Sequence, residues 1–293
     1  LTLAWRDRTS FGLNYGVSFN LSDARTYIRH YPGNATQSIW KYNNGREINE
    51  IWGFETVGIA KSQAEMDAHL EAVGGQTAIG SKWAEGDIMY ADLDGNPGIT
   101  RGAETLDDHG DLKVIGNSTP RLFYGIDLNA SYKGFDIRAF FQGVGKRDFF
   151  AGTPIFWGVY GNQWWSAALG EHQDYYRSED IGLPDRIIPA NTDAYYPRPI
   201  FDDTKNQQTQ TRYLQDASYI RLKNLQVGYT IPQELSRKFF VQNLRLYVSV
   251  DNLWTHTKLS KLFDPETIGG GYNGYGNAYP LTRTWAFGLS LTL

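Results

Sequence analysis

Side chains along Arg121–Gln142 alternate in kind. Leu122, Tyr124, Ile126, Leu128, Ala130 and Tyr132 share one parity, while Phe123, Gly125, Asp127, Asn129 and Ser131 share the other. After Lys133-Gly134 the alternation resumes, with Phe135, Ile137, Ala139 and Phe141 set against Asp136, Arg138, Phe140 and Gln142. Successive side chains of a strand point to opposite faces, so the pattern predicts a β-hairpin closed by a two-residue turn. One face is apolar and the other polar or small. The apolar face requires either a protein core or a hydrocarbon layer.

The same pattern recurs at Phe11–Asn20, Ala217–Ile231, Asn243–Trp254 and Thr282–Leu293. Leu21–Asp23 reads as a short turn, with Ala24–Tyr31 as its returning strand. Ile51–Gly58 reads as extended. Ser62–Val73 predicts a short helix, with Ser62 and Glu65 as a capping box and Gly74-Gly75 as its stop. Short connections then fall at 21–23, 133–134 and 232–242, and long ones at 32–120, 143–216 and 255–279. Short turns at one end and long loops at the other are the mark of a transmembrane up-and-down barrel. A soluble sandwich does not segregate loop length in this way. The fold class expected is therefore all-β: about seven or eight antiparallel strands of a larger transmembrane β-barrel, with 32–120 and 143–216 as long extracellular loops.

Composition agrees with long strands and aromatic-rich surfaces: 19 Tyr, 15 Phe, 9 Trp and 31 Gly in 293 residues. The formal net charge of −4 with no basic stripe gives no sign of a nucleic-acid partner. The chain has no cysteine, which excludes thiol catalysis, disulfides and thiolate metal sites. No apolar run approaches the roughly 20 residues of a spanning helix. The abrupt start at Leu1, inside a strand-like pattern, reads as the loss of an N-terminal part.

Several stretches, taken together, carry a family resemblance. They are Gly86–Ile99 (GDIMYADLDGNPGI), Val114–Phe141, Tyr219–Pro232 (YIRLKNLQVGYTIP), Asn243–Thr255 (NLRLYVSVDNLWT), Phe263–Glu266 and Tyr279–Leu293. In this order they resemble the C-terminal part of SusC/RagA-type TonB-dependent transporters of the Bacteroidetes outer membrane. The resemblance implies a barrel of about 22 strands, with a plug domain in its lumen. It implies a SusD-like surface lipoprotein as lid, a TonB complex acting through the plug, and a glycan or peptide substrate. The plug and the remaining barrel strands are expected from sequence outside this chain, because lipid-facing strand edges cannot stay unpaired. Such barrels usually end in an aromatic residue, whereas here the last residues are Leu291-Thr292-Leu293.

Candidate chemistry lies in the long segments. Trp157, Trp164, Trp165, Tyr175, Tyr176, Tyr195, Tyr196, Tyr272 and Tyr275 are candidates for stacking on substrate or contacting the lid, against the plainer reading of interfacial girdle or loop-packing aromatics. Deleting Gly161–Arg177 is expected to impair uptake or lid association while leaving the barrel assembled. Asp92, Asp94 and Asn96 resemble the first ligands of a calcium loop. Pro97 stands where the EF-hand has Gly and Ala103 where it has Glu, and the plainer reading is a self-bonded Asx turn. A Ca²⁺ held there would be structural, and no other cofactor is required. Asp127, Asn129, Asp136, Arg138, Arg245 and Asp251 are expected to face the lumen. The five histidines lack ligand spacing, and neither a nucleophile elbow nor a phosphate loop is present. The leading expectation is outer-membrane import of an oligosaccharide, with oligopeptide import as the alternative. A secreted carbohydrate-binding β-protein and a glycosidase using two loop carboxylates are the readings from other classes. Apolar faces turned outward favour import, and apolar faces lining a core refute it.

Overall fold

A computed structural model describes residues 1–159, 168–201, 203–269 and 278–292. In chain order, β1 (Thr2–Arg8) and β2 (Asn14–Ser22) are followed by β3 (Glu50–Phe54), β4 (Thr56–Ile59), α1 (Gln63–Val73), β5 (Ile88–Tyr90) and β6 (Leu112–Asn117). Next come β7 (Arg121–Tyr132), β8 (Phe135–Lys146), β9 (Asp148–Phe150), α2 (Pro154–Trp157), β10 (Ile181–Gly182), β11 (Ile187–Ile188) and β12 (Leu214–Asp216). The chain ends with β13 (Tyr219–Thr230), α3 (Gln233–Ser236), β14 (Asn243–Thr257) and β15 (Thr284–Thr292). It folds as two compact units. The first comprises Leu1–Arg25, Pro120–Asp148 and Asp216–Leu293, and the second comprises Thr26–Thr119 and Phe149–Gln215.

The first unit is one antiparallel seven-stranded sheet, in the order β1-β2-β7-β8-β13-β14-β15. Its hairpin turn places Lys133 at φ 47° and Gly134 at φ 88°. Two positive φ values define the I′ type of turn, whose twist matches that of the strands it joins. A Cβ on Gly134 would lie 2.7 Å from the Thr230 carbonyl oxygen, so glycine is also demanded by close approach. The register aligns apolar rows across the sheet. Val17, Leu128, Ala139, Leu225, Val250 and Trp285 form one row, and Ala130, Ile137, Val227, Val248 and Phe287 form the next. Apart from Val250, which is buried, these rows do not line a core. Phe287 is 80% exposed, and Leu128, Ile137, Val227, Leu246, Leu289 and Leu291 are exposed as well. At the tilt usual in barrels, a strand of about 12 residues rises roughly 29 Å, enough to cross the hydrocarbon layer.

The opposite face is polar and internally paired. Arg138 binds Asp127 at 2.6 Å, Arg245 binds Asp136 at 2.5 Å, and Asn224 donates to Asp251 at 2.7 Å. Asp127, Asp136, Arg138, Arg245 and Asp251 therefore share the face opposite the apolar rows, with Asn129 between them in register with Arg138. A register shift between Leu222 and Asn224 moves Lys223 out of strict alternation, so Leu222 joins Leu225 on the apolar side.

The structure corrects the N-terminal reading. Thr2–Arg8 is a strand, and the tight turn is Thr9–Leu13, closed by the Thr9 amide on the Leu13 carbonyl at 2.9 Å and the Gly12 amide on the Thr9 carbonyl at 3.0 Å. Leu21 and Ser22 complete β2, and Ala24–Tyr31 makes only an isolated bridge, Tyr27 to Glu47. The short connections are thus 9–13, 133–134 and 231–242, all at one end of the sheet. Every longer connection leaves from the other end.

The second unit is held by its own core. Ser62 caps α1 by accepting from the Glu65 amide, while the Glu65 carboxylate accepts from the Lys61 amide at 2.6 Å. Gly74 ends the helix in the left-handed conformation. β3 pairs with β6, and β4 with β5. Among the described residues no helix is long and apolar enough to cross a membrane.

Candidate functional site

The second unit carries the candidate chemistry, and its rigidity begins with a buried charge. Asp87 is fully buried at the start of β5. It accepts from Arg198 at 2.8 and 2.9 Å and from Asn206 at 2.9 Å, and pairs with Lys205 at 2.8 Å. Burial pushes this carboxyl upward, but Arg198, Lys205 and Asn206 outweigh burial and hold it below the usual carboxylate range. Lys205, 2% exposed, also donates to the carbonyls of Ser81 and Lys82 and lies over the Trp83 ring. Unpaired charges do not survive burial, so this cluster fastens Lys205–Gln207 to the segment before β5.

A second fastening is aromatic. Phe156 and Trp157 of α2 pack edge-on against Tyr213, with ring centroids 5.8 and 4.4 Å apart, and Phe156 also meets Tyr196 at 5.7 Å. Tyr195 stands at 89° to Tyr196, 4.9 Å away. His172 accepts the Leu169 amide at Nδ1 and donates from Nε2 to the Phe156 carbonyl. Burial raises the phenols of Tyr196 and Tyr213, which therefore stay neutral.

The sequence candidates distribute unevenly over this frame. Trp157, Tyr176 and Tyr196 are buried, with Tyr176 packed against Gly86 and its hydroxyl donating to the Lys61 carbonyl at 2.9 Å. Tyr195 is half-buried, and its hydroxyl donates to the Arg212 carbonyl and accepts from Gln215. Tyr175 is half-buried beneath the Arg177 guanidinium, 4.5 Å from its ring centroid. Tyr175 and the rims of Trp157 and Tyr196 line a hollow of about 190 Å³. Trp164, Trp165, Tyr272 and Tyr275 lie outside the described residues.

Sequence reasoning missed a better-exposed set. Tyr31, Trp40 and Tyr42 are exposed rings around a cleft of about 380 Å³, with Trp52 at its base and Lys41, Asn43, Arg46, Glu47, Asn49 and Glu50 along its walls. The loop is braced from within. The Asn34 amide donates to the Ser38 and Tyr42 carbonyls and to Asn43, the Tyr31 amide donates to Asn44, and the Trp40 indole donates to Glu104 at 2.8 Å. Tyr31 and Tyr42 stand edge to face at 5.5 Å. The available signal was the clustering of Tyr31, Trp40 and Tyr42 with Asn34, Asn43 and Asn44 at the start of the long 32–120 connection.

The calcium-like loop closes on itself. The Gly95 amide donates to Asp92 at 2.7 Å and the Asn96 amide to Asp94 at 2.8 Å. Asn96, through backbone and side chain, holds the Asp94 carboxyl below its usual range. Asp92 and Asp94 come together with Asp111, one ligand oxygen from each lying within 4.8 Å of the others. Asp111 is buried and accepts from the Leu93 and Thr100 amides, both at 2.7 Å. A divalent cation at this loop would take Asp111 as a third carboxylate and would have to share it with those amides.

No protein-family model matches the chain. It is 29% identical over 98% of its length to TonB-dependent receptor P3 of Formosa agariphila, and 26% identical over 85% to TonB-dependent receptor P26 of the same organism. It spans 26% and 23% of those proteins, about a quarter of their length. Among solved structures it superposes on the RagAB peptide transporter with a TM-score of 0.65 at 22% identity, covering 99% of this chain and 28% of that one. The open-open state of the RagAB peptide importer gives 0.62 at 19% identity, covering all of this chain and 28% of the other. In sequence the chain is thus similar to part of two TonB-dependent receptors, and in fold to part of the RagAB transporter.

Proposed function

We propose that this chain supplies barrel wall and outer loops to an importer of oligosaccharides. In this reading the sheet lies in the outer membrane with its short turns toward the periplasm, and the two long insertions emerge outside. A SusD-like lipoprotein lid closes over those insertions. TonB acts through a plug contributed by the rest of the protein, so this chain carries recognition and enclosure rather than energy coupling.

The observation that carries the import reading is the sheet with one exposed apolar face and one ion-paired polar face. The glycan reading rests on Tyr31, Trp40 and Tyr42, whose exposed rings are held on a braced loop beside amide, carboxylate and guanidinium groups. A sugar ring offers a C–H face for stacking and hydroxyls for such polar groups, and a prepaid loop conformation lowers the cost of binding. Oligopeptide import is the second reading, favoured by the fold shared with the RagAB peptide transporter.

Uptake assays on cells carrying W40A/Y42A test the assignment, with a panel of oligosaccharides and a matched panel of oligopeptides as probes. Oligosaccharide affinity should fall about tenfold or more, equal to at least ~1.4 kcal/mol for lost anchor rings, with barrel assembly unchanged. Unchanged oligosaccharide uptake, or a loss confined to peptides, refutes the glycan reading.

A further inference from the structure

The connection between β13 and β14 exposes apolar surface that the fold does not use. A single 3₁₀ turn, Arg237–Phe239, follows α3, and Phe240 then adopts a left-handed conformation at φ 61°. Phe239 is 77% exposed and Phe240 91% exposed. A bulky residue in the left-handed region is strained, and the turn holds it there. The Phe240 amide donates to the Arg237 carbonyl at 3.1 Å, and the Val241 amide to the Ser236 carbonyl at 3.2 Å. Ser236 and Val241 are buried, so the segment is pinned on both sides of the two rings while the rings themselves stand outward.

The surroundings identify what meets them. Arg237 and Lys238 precede the pair, and Glu234 is the one acid between Pro232 and Gln242. The neighbouring turn abuts this connection, since the Thr230 amide donates to the Gly134 carbonyl at 2.8 Å. That turn carries Lys133, whose ammonium lies over the Tyr132 ring at 5.1 Å, and Tyr132 meets Phe11 of the third turn at 5.8 Å. Asp136, on the strand that follows that turn, is engaged by Arg245. This end of the sheet therefore presents aromatic rings interleaved with the basic groups of Lys133, Arg237 and Lys238, which form no ion pair among the described residues. It continues directly into the exposed apolar face: the Gln242 amide donates to the Thr292 carbonyl at 2.8 Å, and Leu244, Leu246, Leu289 and Leu291 follow.

We propose that the Pro232–Gln242 connection is a phospholipid-anchoring site. Phe239 and Phe240 enter the acyl region of the leaflet at the short-turn end, and Arg237 and Lys238, with Lys133 one turn along, bind headgroup phosphates. Rings beside cations suit this depth, where an apolar body meets hydrocarbon and a charged tip meets phosphate. The inference rests on the reading that the apolar face of the sheet meets lipid, and the experiment separates the two.

This chain adds no cysteine of its own, so single nitroxide labels are placed at F240C, at L289C on the apolar face and at S249C on the polar face, with any cysteine outside this chain replaced by serine. The full-length transporter is reconstituted in vesicles of phosphatidylethanolamine and phosphatidylglycerol. F240C and L289C should relax more with oxygen than with a water-soluble nickel chelate, and S249C the reverse. A lipid-like L289C with a water-like F240C overturns the anchor alone, and a water-like L289C overturns the membrane-facing reading itself. An F240C label shielded from both agents marks a protein partner and also overturns the anchor. In a second arm, R237Q/K238Q should retain severalfold less phosphatidylglycerol after detergent extraction, read by native mass spectrometry. Equal retention overturns the headgroup assignment.

Discussion

Lys205 is almost wholly removed from water, yet its ammonium is paired with Asp87 and hydrogen-bonded to two carbonyls. Breaking such a pair by removing one partner leaves an uncompensated buried charge, at a cost of about 3–5 kcal/mol. K205M should therefore open the second unit to limited proteolysis, while the sheet of the first keeps the anomalous gel migration of an assembled barrel. The same cluster fixes a pH response. Arg198, Lys205 and Asn206 hold the folded Asp87 carboxyl below its unfolded value of about 3.9, so its stabilising contribution is complete above that value and is lost as pH falls through the folded pKa. Protease resistance of the second unit should fall below about pH 4, and D87N should be less resistant at neutral pH with a flatter acid profile. An acid profile identical to that of the parent would remove Asp87 from the account. None of this was legible in the sequence. Asp87, Arg198 and Lys205 are ordinary charged residues until the chain brings together positions 111 and 118 apart in sequence.

Alternation is the property of single elements that sequence reading captured well. β7, β8, β14 and β15 carry side chains whose parity was readable because period two has no competing explanation over ten or more residues. It failed where alternation is cheap. Arg25, Tyr27, Arg29 and Tyr31 alternate with smaller residues, but that segment bonds instead to 43–48, with the Ile28 amide on the Arg46 carbonyl and the Ile48 amide on the Thr26 carbonyl. The strand-like pattern at the start of the chain held, since Thr2–Arg8 is a strand paired with β2, although Arg6, Asp7 and Arg8 blur its parity. Parity makes a sharp prediction on β15. Phe287 lies in the apolar row beside Val248, and Ala286 faces the polar side beside Ser249. F287R should cost about 2–4 kcal/mol of barrel stability at mid-membrane depth, whereas A286R should cost little. Heat-modifiability on gels reads both variants, and equal effects would mean that the two faces do not see different solvents.

At the scale of the whole chain, the segregation of short and long connections was legible, but the internal organisation of the long ones was not. Loop length follows from counting residues between strands. The contents of 26–119 and 149–215 depend on contacts between the two insertions, and no local pattern announces that they fold as one compact unit. The aromatic candidates show the consequence. Trp157, Tyr176 and Tyr196 looked like binding rings in a long loop, yet they are the packing of that unit, while Tyr31, Trp40 and Tyr42 remain open. The deletion of Gly161–Arg177 acquires a different expected outcome from this. It removes His172, which bonds to the Phe156 carbonyl, and Tyr176, which packs on Gly86 and bonds to the Lys61 carbonyl. Uptake should be lost because the second unit unfolds as a whole, and protease cleavage should appear at sites within 26–119, far in sequence from the deletion. The first unit closes its sheet hydrogen bonds without these residues, so heat-modifiability should persist. Cleavage confined to the deletion site, with 26–119 still resistant, would show that the two insertions fold independently.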